Sequence, residues 1–143
     1  MGRIIQSGGS QAELLQYESI PLIFLQSASV SLCENAKRIG LNLPLANSLL
    51  RYPEEQRPFH VLDEIREILY ASSEPLLLEK YELLFSPAYK LNVMKVFSDL
   101  ARIRRLYAVW PGKMQNSSLI YAEPGDPEYR NYRIADYDVI VIA

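Results

Sequence analysis

Two carboxylates three residues apart, Glu79 and Glu82, close the run Pro75-Leu-Leu-Leu-Glu-Lys-Tyr-Glu-Leu-Leu-Phe85. Its short apolar part, set behind the turn-favouring Ser72-Ser73-Glu74-Pro75, predicts a strand buried on both faces. Such a strand carries Glu79 to the carboxyl edge of a parallel sheet, where open α/β folds bind their ligands. The plainer reading is a strand that ends and runs into a surface loop.

Three serines, Ser27, Ser29 and Ser31, follow a second buried strand, Ile20 to Leu25. A phosphate-binding turn at that place would be Gly-rich, so that the backbone could approach the anion, and would carry a Lys. Gln26 to Ser31 has neither. Its serine hydroxyls could donate to an oxyanion, or could satisfy their own backbone. Ser7-Gly8-Gly9-Ser10 offers another anion cradle ahead of a helix from about Gln11 to Glu18, with Ser10 and Glu13 at capping-box spacing. The Lys and the hydroxyl residue of a Walker A motif are missing there as well. Arg102, Arg104 and Arg105 gather at the end of a helix, where cations offset its dipole or contact an anion. His60 stands near a helix start with no evident carboxylate partner.

The elements that must position these residues alternate along the chain. Leu32 to Arg38 is polar and compatible with helix. Arg38 to Leu43 predicts a short strand and Pro44 the first turn of a helix running to Arg51. Phe59 to Ala71 predicts an amphipathic helix with Val61, Leu62, Ile65, Ile68 and Leu69 on its buried stripe. Leu91 to Arg104 predicts another, with Val93, Val96, Phe97, Leu100 and Ile103 inward. Leu106 to Trp110 is the next strand, ended by Pro111-Gly112, and Asp138 to Ile142 the last. Before that last strand, Leu119-Ile-Tyr121 leads into a Pro-, Gly- and Tyr-rich loop, residues 122–134, with Glu123, Asp126, Tyr129 and Arg130 as candidate partner contacts. A loop of that length in a small domain is often a binding element.

At 143 residues, with 49% hydrophobic and 22% charged side chains, the chain is of single-domain size and globular composition. The expectation is one α/β domain over 1–143, with residues 1–19 as a lead-in. A net charge of -2 gives no general hold on nucleic acid. A lone Cys33 and a lone His60 make neither a disulfide nor a soft-ligand metal cluster, which suits a reducing, cytoplasmic setting. No apolar stretch approaches the roughly 20 residues of a membrane helix.

Alternating strands and helices with buried strands predict a three-layer parallel sheet of about five strands, with P-loop-NTPase-like topology; a flavodoxin-like sheet fits the same pattern. Asn42-Leu-Pro-Leu45, Tyr52-Pro-Glu-Glu-Gln-Arg-Pro58, Leu76 to Phe85, Trp110-Pro-Gly112 and Tyr121-Ala-Glu-Pro-Gly-Asp-Pro-Glu-Tyr129 resemble BrxF, the small P-loop-containing proteins of BREX anti-phage defence systems. The resemblance spans residues 40–133 and is most specific at the segment ending in Tyr129.

What the resemblance implies is a cytoplasmic bacterial defence component that works beside larger protein partners and reaches DNA only through them. A homo-oligomer stays open. Glu79 would take the magnesium-side acidic position, and Glu82 a nearby place for water or metal, with ATP or GTP supplying the other ligands. The Walker A counterpart, Gln26 to Ser31, is degenerate, and Lys80 beside Glu79 could neutralise the site. The leading expectation is therefore a non-catalytic scaffold. The alternatives are an atypical magnesium-dependent NTPase, and a small nucleic-acid-binding module using Arg102, Arg104, Arg105, Arg130 and Arg133 with nearby tyrosines.

Overall fold

The computed structural model describes residues 2–5, 19–25, 35–71 and 73–143. Along the chain the strands are β1 (Arg3–Ile5), β2 (Leu22–Phe24), β3 (Lys37–Gly40), β4 (Leu76–Glu79), β5 (Leu106–Val109), β6 (Lys113–Gln115), β7 (Ser118–Tyr121), β8 (Arg130–Arg133) and β9 (Ile140–Ile142). The helices are α1 (Asn42–Leu49), α2 (Arg57–Leu69) and α3 (Val93–Ala101).

Six strands form one sheet in the order β1-β9-β2-β5-β4-β3, every neighbouring pair parallel. Counted from β2, the five inner and edge strands other than β1 run 5-1-4-3-2 across the sheet. That is not the flavodoxin-like order 2-1-3-4-5, nor the dinucleotide-binding order 3-2-1-4-5-6. The sheet has one strand more than expected because Arg3–Ile5, inside the predicted lead-in, pairs with β9.

Strand alternation divides the core in two. Ile23, Leu76, Leu78, Leu106, Ala108 and Val141 face the helices. Leu22, Phe24, Leu77, Tyr107, Ile140 and Ile142 form a buried cluster on the other face. The three helices among the described residues contribute to the first cluster only, and among those residues no helix covers the second face, where a three-layer sandwich would have one. The predicted helix from Gln11 to Glu18 and the segment from Leu32 to Glu34 lie outside the described residues.

α2 buries Val61, Ile65 and Leu69, one position per turn, and fits Glu64 between them at 3% exposure. α3 starts where Asn92 accepts a hydrogen bond from the Lys95 amide at 3.2 Å, and it buries Val93, Val96, Phe97 and Leu100. Two stripe assignments are corrected. Ile103 lies past the end of α3, where the helical period no longer holds, and is exposed; Leu62 stands one step off the buried line and is also exposed.

A second, antiparallel sheet, β6-β7-β8, flanks the predicted loop and takes its residues Arg130–Arg133 as β8. Asn116 and Ser117, at φ 53° and 61°, make the two-residue turn between β6 and β7, a conformation whose twist suits a hairpin. The loop proper runs over residues 122–129, and Arg130 already belongs to β8. Among the described residues no helix is long and apolar enough to cross a membrane.

Candidate functional site

The carboxyl edge of the main sheet is built where β3, β4 and β5 end. β4 finishes on Glu79 as expected, half-buried, and in register with Gly40 of β3. Alternation puts Arg38 and Glu79 on the same side of this strand pair, and the Arg38 guanidinium donates to Glu79 Oε1 at 2.6 Å. The chain then turns sharply at Lys80, which holds the left-handed φ of 48°, and drops Tyr81 into the core at 0% exposure. Glu82 opens a short 3-10 turn, Glu82–Phe85.

Asn42 joins this turn to α1. Its Oδ1 accepts from the Leu83 amide at 2.8 Å, and its Nδ2 donates to Glu82 Oε2 at 3.4 Å. The two carboxylates are thus partnered separately, Glu79 by Arg38 and Glu82 by Asn42. Glu82 looks instead toward Glu128, across an open hollow of about 290 Å³ that Asn42, Ala46 and Leu83 also line. Among the described residues no three His, Cys, Asp or Glu side chains gather as a metal site.

The small sheet docks on the same edge through aromatic rings. Trp110, just past β5, is buried and donates from Nε1 to the Ile120 carbonyl at 3.0 Å. Phe85 stacks on Tyr121 with centroids 4.0 Å apart and meets Trp110 edge-on at 5.6 Å. Tyr132 takes the Val93 amide on its hydroxyl at 3.2 Å, tying β8 to the start of α3. Burial pushes the Tyr132 phenol pKa up, partly offset by that amide and by Arg130.

The remaining candidates within the described residues each find a definite place. Arg130 donates to the carbonyls of Phe85 and Tyr129, both at 2.9 Å, so it clamps loop to edge and is not a free contact. Asp126 caps its own turn by accepting from the Glu128 amide at 2.8 Å, and Tyr129 accepts on its hydroxyl from Asn131 at 3.3 Å. Glu123 is exposed at the loop tip. Arg102 lies 3.8 Å from Asp99, Arg104 stacks over Tyr70 at 5.5 Å, and Arg105 donates to the Tyr107 hydroxyl at 2.6 Å. Those three arginines precede β5 at the amino edge, whereas Arg130 and Arg133 belong to the sheet docked on the carboxyl edge. The structure does not bring the five together. His60 stacks on Tyr52 at 3.9 Å. Ser27, Ser29, Ser31, Cys33 and the Ser7 to Ser10 turn lie outside the described residues.

Sequence reasoning missed Arg38 and Asn42 as parts of the site. Arg38 becomes Glu79's partner only through the β3–β4 register. Asn42 carried a visible signal, a strand followed by an amide side chain just before Pro44, which is where a helix start meets the carboxyl edge.

These features define a parallel α/β protein in which one inner strand ends in an ion-paired carboxylate and the carboxyl edge carries an accessory antiparallel sheet. No protein-family model, no curated protein and no solved structure matches the chain. The donor set does not fit a magnesium nucleotide. Magnesium needs carboxylate and phosphate oxygens together; here the strand-end carboxylate is held by a guanidinium at 2.6 Å, and the sequence Gln26 to Ser31 after β2 contains no Lys to meet phosphate charge.

Proposed function

We propose that the protein is an accessory scaffold of a bacterial anti-phage, BREX-like defence complex, with a P-loop-like fold and without a working phosphate site. The observation that carries this reading is the Arg38–Glu79 pair at the end of β4. It places a positive charge against the carboxylate that an NTPase would present to a metal ion.

The strand order supports the P-loop-like part. β2 precedes in sequence Gln26 to Ser31, where a phosphate loop would stand, and β4 carries the acid, with β5 between the two strands. Two inter-strand steps of about 4.8 Å set those strand ends roughly 10 Å apart on one edge. The serine-rich sequence Gln26 to Ser31, without Gly or Lys, supports the loss of phosphate chemistry. An atypical NTPase would have to displace Arg38 before Glu79 could bind metal. A nucleic-acid module would have to work from arginines divided between opposite edges of the sheet.

Co-expression with the larger proteins of a BREX system, followed by size-exclusion chromatography with light scattering, tests the scaffold reading. A stoichiometric complex that forms without added nucleotide is the expected result. A complex that assembles only with hydrolysable ATP, or none at all, overturns it.

A further inference from the structure

An apolar groove of about 240 Å³ runs between α2 and the segment leading into α3. Ile65, Val96 and Leu100 floor it and Leu91 is half-buried at its side. Leu62 rises on its α2 wall at 39% exposure, and Phe59, three residues earlier on the same helix face, stands 82% exposed. Two large apolar side chains on one face, beside an open groove, form a patch with no occupant among the described residues.

Charge around the rim is one-sided. Arg66, Lys90 and Lys95 border the groove, against Asp99 as its only lining carboxylate among the described residues. Asp99 already lies 3.8 Å from Arg102 and Arg66 lies 3.5 Å from Asp63, which leaves Lys90 and Lys95, neither with an ion pair among the described residues, as the free positive charge of the rim. This positive rim sits on a chain of net charge -2, so it is a local feature and not a reflection of composition. Lys90 holds the left-handed φ of 51°, a costly conformation for a side-chain-bearing residue, directly at the mouth.

We infer that this groove receives an acidic amphipathic helix of a partner protein, whose apolar side chains enter beside Leu62 and Leu91 while its carboxylates meet Lys90 and Lys95. Helix-in-groove binding uses apolar anchors at i, i+3, i+4 and i+7, and flanking charge of opposite sign selects the partner and speeds its approach. The inference rests on the scaffold reading and names the chemistry of its partner. It moves the contact from the Glu123 to Arg130 loop, where Arg130 is already engaged, to the helical face.

A random-peptide phage library panned on the immobilised full-length protein tests it, with selected peptides then measured by fluorescence anisotropy. Enriched peptides are expected to combine Asp and Glu with helical apolar spacing. They should bind at least tenfold more weakly to Lys90→Glu/Lys95→Glu and to Leu62→Asp, each with an unchanged circular dichroism spectrum. No enrichment over a blank surface, enrichment of neutral or basic peptides, or equal affinity for the variants overturns the proposal. Sedimentation with phosphatidylserine vesicles provides the other arm: lysine-dependent vesicle binding without peptide enrichment would make the patch a membrane-surface site instead. If the co-expressed complex assembles equally well with Lys90→Glu/Lys95→Glu, the groove fails while the scaffold reading stands. If wild-type protein forms no complex, the scaffold reading itself fails.

Discussion

Replacing Tyr81 by Phe should stabilise the protein. Tyr81 is the anchor that follows the Lys80 turn, its ring edge-on to Phe97 at 5.2 Å and tilted against Phe85 at 6.1 Å. The hydroxyl is buried and has no hydrogen-bond partner among the described residues. An orphaned buried hydroxyl costs about 1–3 kcal/mol, and the ring contacts survive the substitution. Subtracting the few dispersion contacts of one oxygen leaves an expected gain of about 1–2 kcal/mol. For a chain of this length that reads as a rise in Tm of about 3–6 °C.

The same hydroxyl controls alkaline stability. Burial, with Glu82 adding to it, holds the Tyr81 phenol well above its ordinary pKa. A group raised in the folded state favours folding fully below the unfolded phenol value of about 10 and loses that contribution as pH climbs toward the folded value. Urea unfolding above pH 10 should therefore show stability falling by up to about 1.4 kcal/mol per pH unit for each such tyrosine. Tyr81→Phe should flatten that slope by one proton. A variant destabilised by about 1 kcal/mol or more, or one with an unchanged alkaline slope, would mean that the hydroxyl is bonded and the packing around it misread.

Phe97→Ala should cost about 3–5 kcal/mol in urea unfolding, since a fully buried ring would leave a cavity under the sheet; a loss under about 1 kcal/mol would place Phe97 outside the core. Gly112→Ala should cost about 1–3 kcal/mol and red-shift Trp110 fluorescence, because the new methyl would run into the Ile120 carbonyl that accepts from Trp110. A double-mutant cycle on Arg38 and Glu79 should give a coupling below about 1 kcal/mol, the pair being 62% and 28% exposed. A larger coupling would mean that the pair is held more firmly than its exposure implies and that displacing Arg38 from Glu79 costs correspondingly more.

The parallel fold was legible because its strands are dense in apolar residues. Leu76, Leu77 and Leu78 are buried on both faces and leave no other reading of that run. β1 was hidden by its length of three residues, with Arg3 and Ile4 both exposed. β8 was hidden by composition: of Arg130-Asn-Tyr-Arg133 only Tyr132 is buried, so no alternation marks a strand. Its place is fixed by rings that meet only after folding, Tyr132 edge-on to Trp110 and Tyr137. The site was half legible. Glu79 at a strand end follows from local pattern alone, but its partner depends on register with a residue 41 positions away. Arg130 reads in sequence as one more surface charge, and the carbonyls it clamps carry no sequence signature.

The central claim is a P-loop-like domain that does not bind nucleotide productively. Thermal unfolding of the pure protein with and without saturating magnesium-ATP, and again with magnesium-GTP, addresses it directly. Ligand at a hundredfold excess over its dissociation constant adds about 2.7 kcal/mol to the native state, a rise in Tm of several degrees at this size. The scaffold account predicts no such rise, in wild type or in Glu79→Gln. A rise of several degrees in wild type that disappears in Glu79→Gln would contradict it and make Glu79 a metal-side carboxylate after all.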